Sequence, residues 1–198
     1  MAMKSMTITV EGVNPLLLNN PQTVDSFNPY TKQMKVITSK RAKTDEDMLA
    51  LRDLEIMSKI YWDDELGIYI PSTWVTAAIA GWSYKKAKIS KADIRSAVFA
   101  VDSKVKLNYL GISKVKEPSD IVGNPHFRHM MTLKQGQVRV VKAAPIFHEW
   151  GFKTTLEFDD SVIDAATLEQ IVKHASMYGG FGDFRPTFGR ASTEVTHD

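Results

Sequence analysis

Strict alternation in one stretch, followed closely by a capped helical stripe, narrows the folds open to this chain more than anything else in it. Phe152 to Phe158 (Phe-Lys-Thr-Thr-Leu-Glu-Phe) sets apolar residues two apart, the period of a strand with one buried face. Asp164 then offers a helix N-cap for Ala165 to Tyr178, where Leu168, Ile171, Val172 and Ala175 form an apolar stripe. A glycine-rich stretch follows, and Ala191 to Thr196 reads as a closing strand. The N-terminal part begins with the same period of two: Met6 to Val13 alternates apolar and polar residues.

Asn14-Pro15 and Asn19-Asn20-Pro21 break that first strand, and an irregular segment is expected to about Lys43. Thr44 can cap a helix running to Trp62, with acids in its first turn and Met48, Leu51, Leu54, Ile56, Met57 and Ile60 at helical spacing. Asp63 to Gly67 reads as a turn and Ile68 to Pro71 as a short extended piece. Ser72 or Thr73 then caps a helix over Trp74 to Ala87, whose Ala77, Ala78, Ala80 and Gly81 permit close packing. Ala97 to Tyr109 reads as one or two strands, and Glu117 to Asn124 as a polar loop. His126 to Leu133 and Val138 to Ala144 form a hairpin around Gln135-Gly136. Without the insertions the order is strand, helix, strands, helix, strand, the split βαβ order of ferredoxin-like or RRM-like folds. The expectation is one α+β domain over residues 1–198, with residues 20–62 inserted after the first strand as a basic arm plus an acidic helix.

With no cysteine among 198 residues, disulfide scaffolds, thiolate metal sites and cysteine catalysis are excluded. No apolar run approaches a membrane span, and Met-Ala-Met-Lys-Ser has no secretory apolar core behind it, so a cytoplasmic location without membrane contact is expected. The net charge of +2 is small, but its distribution is uneven. Ser26 to Thr44 has no acid and carries Lys32, Lys35, Lys40, Arg41 and Lys43. Asp45 to Glu65 reverses the sign, and Ile121 to His148 is again acid-free, with Arg128, Lys134, Arg139 and Lys142. Such tracts make either a positive face for a polyanion or ordinary solvated surface.

The stretch from Gly179 to Arg190 (Gly-Gly-Phe-Gly-Asp-Phe-Arg-Pro-Thr-Phe-Gly-Arg) adds chemistry of the same kind. Gly180 and Gly182 allow a backbone to come close, while Arg185 and Arg190 supply planar charged forks that fit phosphate. Its plainer reading is a helix C-cap and a tight turn with aromatics packed inward. Phe27 and Tyr30, interleaved with the lysines of the basic arm, offer faces on which bases stack. Catalytic signatures are lacking: there is no His-Glu-x-x-His, no Gly-x-Ser-x-Gly and no phosphate loop. His126 and His129 lie three apart, which on a strand turns them to opposite faces, so neither a metal nor a cofactor is expected. Asp25, in the loop after the first strand, is the one weak catalytic candidate, and an Asx turn is its alternative role.

Asp64-Glu65-Leu66-Gly67-Ile68-Tyr69-Ile70-Pro71-Ser72-Thr73-Trp74-Val75-Thr76-Ala77-Ala78 resembles the strand, Pro-containing turn and first helix of the RAMP superfamily. These are RRM-fold subunits that form the RNA-binding backbone of CRISPR effector complexes. The glycine-rich loop over Gly179–Arg190, after the second helix, resembles the other hallmark of that family. Ser72 and Thr76 stand where the pattern carries glycine and a basic residue. The compact form also resembles proteins encoded by tailed bacteriophages, which would put it in the bacterial host cytoplasm. The resemblance implies a nucleic-acid-binding role, head-to-tail assembly along a strand, and in some members RNA cleavage by an aspartate in the loop that Asp25 occupies. Together the residues and the resemblance lead to a non-catalytic protein binding single-stranded nucleic acid, assembling as a homo-oligomeric filament or ring. An endoribonuclease and a protein-binding adaptor are the alternatives.

Overall fold

The computed structural model describes residues 3–197. Its strands are β1 (Met3–Gly12), β2 (Leu16–Leu17), β3 (Trp62–Asp63), β4 (Gly67–Pro71), β5 (Val98–Ala100), β6 (Lys104–Lys106), β7 (Asn108–Tyr109), β8 (Arg128–Gln135), β9 (Val138–Phe147), β10 (Trp150–Asp159) and β11 (Ala191–His197). Its helices are α1 (Pro29–Thr38), α2 (Asp45–Ser58), α3 (Thr73–Ala87), α4 (Lys91–Ala97), α5 (Pro118–Gly123) and α6 (Ala165–His174). These elements belong to two compact units. The first holds residues 3–16, Asp63–Leu110 and 148–197; the second holds Leu17–Trp62 and Gly111–Phe147.

In the first unit the sheet runs β11-β1-β10-β5, every neighbouring pair antiparallel. With α3 between β1 and β5, and α6 between β10 and β11, this is the ferredoxin-like order expected from the sequence. Alternation does the packing. Met6, Ile8 and Val10 of β1 and Phe152, Leu156 and Phe158 of β10 are buried, as are Val75 and Ile79 of α3 and Leu168, Ile171 and Val172 of α6. Each such side chain stabilises by about 1.5–3 kcal/mol when fully removed from water. The alternate residues form a polar face: Thr7 and Thr155 share a hydrogen bond of 3.1 Å there, beside the exposed Glu11, Glu157 and Glu194.

The second unit pairs β8 with β9 from Arg128–Pro145 to Gln135–Val138, the hairpin expected, and packs α2 against β9. The segment expected to be irregular before Lys43 contains α1. Asn28 is its N-cap, accepting from the Tyr30 N–H at 2.9 Å, and Pro29 occupies the first helical position, where a missing N–H costs nothing. Likewise Glu117 to Asn124 is a loop only at its ends: Pro118 opens α5, and Asp120 accepts from the Glu117 N–H at 3.1 Å. The region from Ala97 to Tyr109 holds three short strands rather than one or two.

Candidate nucleic-acid interface

Eleven of the candidate side chains lie in the second unit, which carries thirteen lysines and arginines against eight acids, a formal +5; the described residues of the first unit carry twelve against fourteen, a formal −2. Charge is therefore sorted by unit, although the chain is near neutral. Within the second unit α2 neutralises part of the basic set. Lys40 pairs with Asp47 at 2.6 Å, Arg128 with Asp53 at 2.8 Å and Lys142 with Glu55 at 2.7 Å. Lys40 and the Thr44 N–H hold the Asp47 carboxyl below its ordinary range. Three of the five carboxylates of α2 thus serve the unit itself.

Lys32, Lys35, Arg41, Lys43, Lys134 and Arg139 make no ion pair among the described residues. Lys32 and Lys35 project from α1, and the Lys32 ammonium lies 5.5 Å from the centre of the exposed Phe27 ring. Tyr30 is half-buried. Lys43 donates to the Lys40 carbonyl at 3.0 Å. Lys134 and Arg139 stand directly opposite each other near the hairpin tip, both exposed and on one face of the ladder. Like charges so placed repel, and among the described residues no acid pairs with either.

Asp25 is exposed, and its carboxylate accepts from the Phe27 N–H at 2.8 Å, the geometry of an Asx turn. Among the described residues, no group of three or more His, Asp and Glu side chains could hold a metal ion.

The remaining candidates belong to the first unit. After α6 the backbone widens into a single π turn, Ala175–Gly179, and the Gly180 N–H donates to the Ala175 carbonyl at 2.8 Å. The loop is then drawn shut at its neck. Phe181 donates to Gly189 at 2.8 Å, Gly189 to Pro15 at 2.8 Å and Val13 to Arg190 at 2.8 Å. Gly189 has φ +75°, and a Cβ there would lie 1.8 Å from the Phe181 carbonyl oxygen, so only glycine fits. Gly180 is buried and faces Gly189 inside this neck, while Gly182 is half-buried. Phe181 packs edge-on against Phe152, with ring centroids 5.2 Å apart. The tip, Phe184 to Thr187, is exposed, and the side chains of Arg185 and Arg190 are exposed without a partner among the described residues. The loop therefore has the inward-packed aromatic base of the plainer reading beneath an exposed arginine-bearing rim, and the buried Gly180 serves the neck rather than an approach from outside.

The end of α3 and its C-cap, Lys88, expose Tyr84, Lys85, Lys86 and Lys88. The sequence signal for them was the basic run itself, set directly after two aromatics. The polar sheet face lacks the exposed central aromatics with which RRM sheets stack bases; Phe99, at the β5 edge, is its one exposed aromatic among the described residues.

No known family matches the chain, and no curated protein matches it. Among solved structures it is similar to Cmr6 from Pyrococcus furiosus, with a TM-score of 0.42 and 9% identity over 98% of this chain and 100% of that one. No helix among the described residues is long and apolar enough to cross a membrane.

Proposed function

We propose that this chain is a non-catalytic protein that binds single-stranded nucleic acid, related in design to the RAMP subunits that its Asp64–Ala78 and Gly179–Arg190 stretches resemble. The observation that carries the reading is the unrelieved pair Lys134 and Arg139 on a hairpin whose other cations are already matched by α2. A polyanion relieves that repulsion and releases counterions as it binds. Lys32 and Lys35 beside Phe27 add a cationic and aromatic surface of the kind that strands use without sequence preference. The opposite formal charges of the two units support head-to-tail association of successive copies along a strand.

Fluorescence anisotropy with a labelled single strand of roughly 16 nucleotides tests the reading. Affinity is expected to fall steeply between about 50 and 200 mM salt, as counterion release demands. An affinity independent of salt, or none at low salt, refutes it. Labelled RNA should be recovered intact with and without Mg²⁺; turnover would make the chain an enzyme instead.

A further inference from the structure

A second cluster, on the helical side of the first unit, has the composition of a strand-binding site and no structural task that uses its polar groups. Trp82 on α3 lies against His174 at the end of α6 and Tyr178 in the π turn. The ring centroids are 5.7 Å apart for Trp82–His174, 4.6 Å for His174–Tyr178 and 6.2 Å for Trp82–Tyr178. The Lys85 ammonium sits 4.6 Å from the centre of the Trp82 ring. The i, i+4 spacing from Trp82 to Lys86 and from His174 to Tyr178 aligns these side chains along the seam between the two helices. A cavity of about 350 Å³, lined by Lys86, Asp164, Thr167 and Gln170 and by none of the three rings, lies further along the two helices.

Three features distinguish this cluster from ordinary helix packing. Tyr178 is 57% exposed, so its ring is offered outward rather than closed into the core. The Trp82 indole N–H, the His174 ring nitrogens and the Tyr178 hydroxyl make no hydrogen bond among the described residues, and neither lysine has an ion pair. Finally, Gly179 lies so close to Trp82 that a Cβ there would stand 2.5 Å from the indole nitrogen; the π turn brings the backbone against the ring, over which the Lys85 ammonium sits.

We propose that the seam between α3 and α6 binds one nucleotide unit of a single strand, the base stacking on Tyr178 and Trp82 and the adjoining phosphate meeting Lys85 and Lys86. A base uses the π faces and the unpartnered ring donors together, and its phosphate uses the lysines. An acidic peptide would use the lysines alone. The polar sheet face is the poorer host for a phosphate, since Glu11, Glu157 and Glu194 are exposed there beside Lys153. The inference rests on the strand-binding reading but concerns a different surface from the basic hairpin.

The test is anisotropy with the same oligonucleotide on the full chain and on three variants: Tyr178→Ala, Lys85→Ala with Lys86→Ala, and Lys134→Ala with Arg139→Ala. Crosslinking of a 5-bromouracil strand, mapped by mass spectrometry, accompanies it. Tyr178→Ala should weaken binding by about 5-fold or more, Tyr178→Phe, which keeps the stacking face and loses only the hydroxyl, should weaken it less, and crosslinks should map to Trp82 or Tyr178. The two-lysine variant should bind more weakly with a shallower salt dependence. If Tyr178→Ala and the lysine variant bind like the unaltered chain while the hairpin variant does not, the seam is refuted and strand binding stands. If the unaltered chain binds no strand at low salt, both fall.

Discussion

Truncation of Glu55 probes the arrangement that separates structural cations from available ones. Glu55 is buried on α2; one carboxylate oxygen accepts from the Ala143 N–H at 2.9 Å and the other from the Lys142 ammonium at 2.7 Å. One turn on, Lys59 donates to the Ala143 carbonyl. Two side chains four residues apart thus satisfy both backbone groups of a fully buried strand residue, as a neighbouring strand would. Glu55→Ala leaves the Ala143 N–H buried without an acceptor and loses a charge-assisted bond, together about 1.5–3 kcal/mol. The ion pair adds less than about 1 kcal/mol, because the Lys142 side chain is 41% exposed and water screens it. The expected loss is about 2–3 kcal/mol. Glu55→Gln, which keeps an acceptor, should lose only about 1 kcal/mol. Hydrogen exchange of peptides spanning 138–147 reads this locally, with an acceleration of roughly 30- to 150-fold against little change over 150–159. An unchanged rate in 138–147, or equal acceleration in both stretches, would refute the clamp.

The hairpin tip should behave in the opposite way. Lys134→Ala or Arg139→Ala should leave stability within about 0.5 kcal/mol or raise it slightly, since repulsion is removed, while lowering the salt slope of strand binding by about 1 each. Arg185→Ala with Arg190→Ala should weaken binding with an unchanged thermal midpoint; a collapse of stability would make those arginines structural. Gly189→Ala should destabilise the first unit measurably in chemical denaturation, because a Cβ meets the Phe181 carbonyl at 1.8 Å and the backbone is left-handed there; wild-type stability would refute the closed neck. Asp63 is held down to about 2 from 3.8, first by the Lys104 ammonium and then by the N–H groups of Leu66 and Glu65. A lowered carboxylate stabilises the fold above its unfolded value and loses that contribution as pH falls through the folded one. The gap in thermal midpoint between the unaltered chain and Asp63→Asn should therefore be full above about pH 4 and vanish near pH 2; a gap independent of pH would refute it.

The core was legible because period carries it. Met6 to Val13, Phe152 to Phe158 and the Leu168–Val172 stripe show local spacing that only one buried face can satisfy, and together they order the ferredoxin-like sheet. The misread stretches share one cause: Asn28-Pro29 and Glu117-Pro118 look like breaks, yet proline after a capping residue is also how a helix starts. Nothing local separates the two roles.

The same limit divided the candidate site. That lysines and arginines cluster, and that phenylalanines and glycines fill the loop before the last strand, is written in the chain, because composition needs no partner to be read. Which cations remain available was decided by α2 lying against the β8–β9 hairpin, where Asp53 and Glu55 meet Arg128 and Lys142 across 75 and 87 residues. Likewise Trp82 and Tyr178 are ordinary helical residues until α3 and α6 bring their rings within 6.2 Å. Charge and periodicity are properties of neighbours in sequence; neutralisation and stacking are properties of neighbours in space, and only the folded chain chooses those.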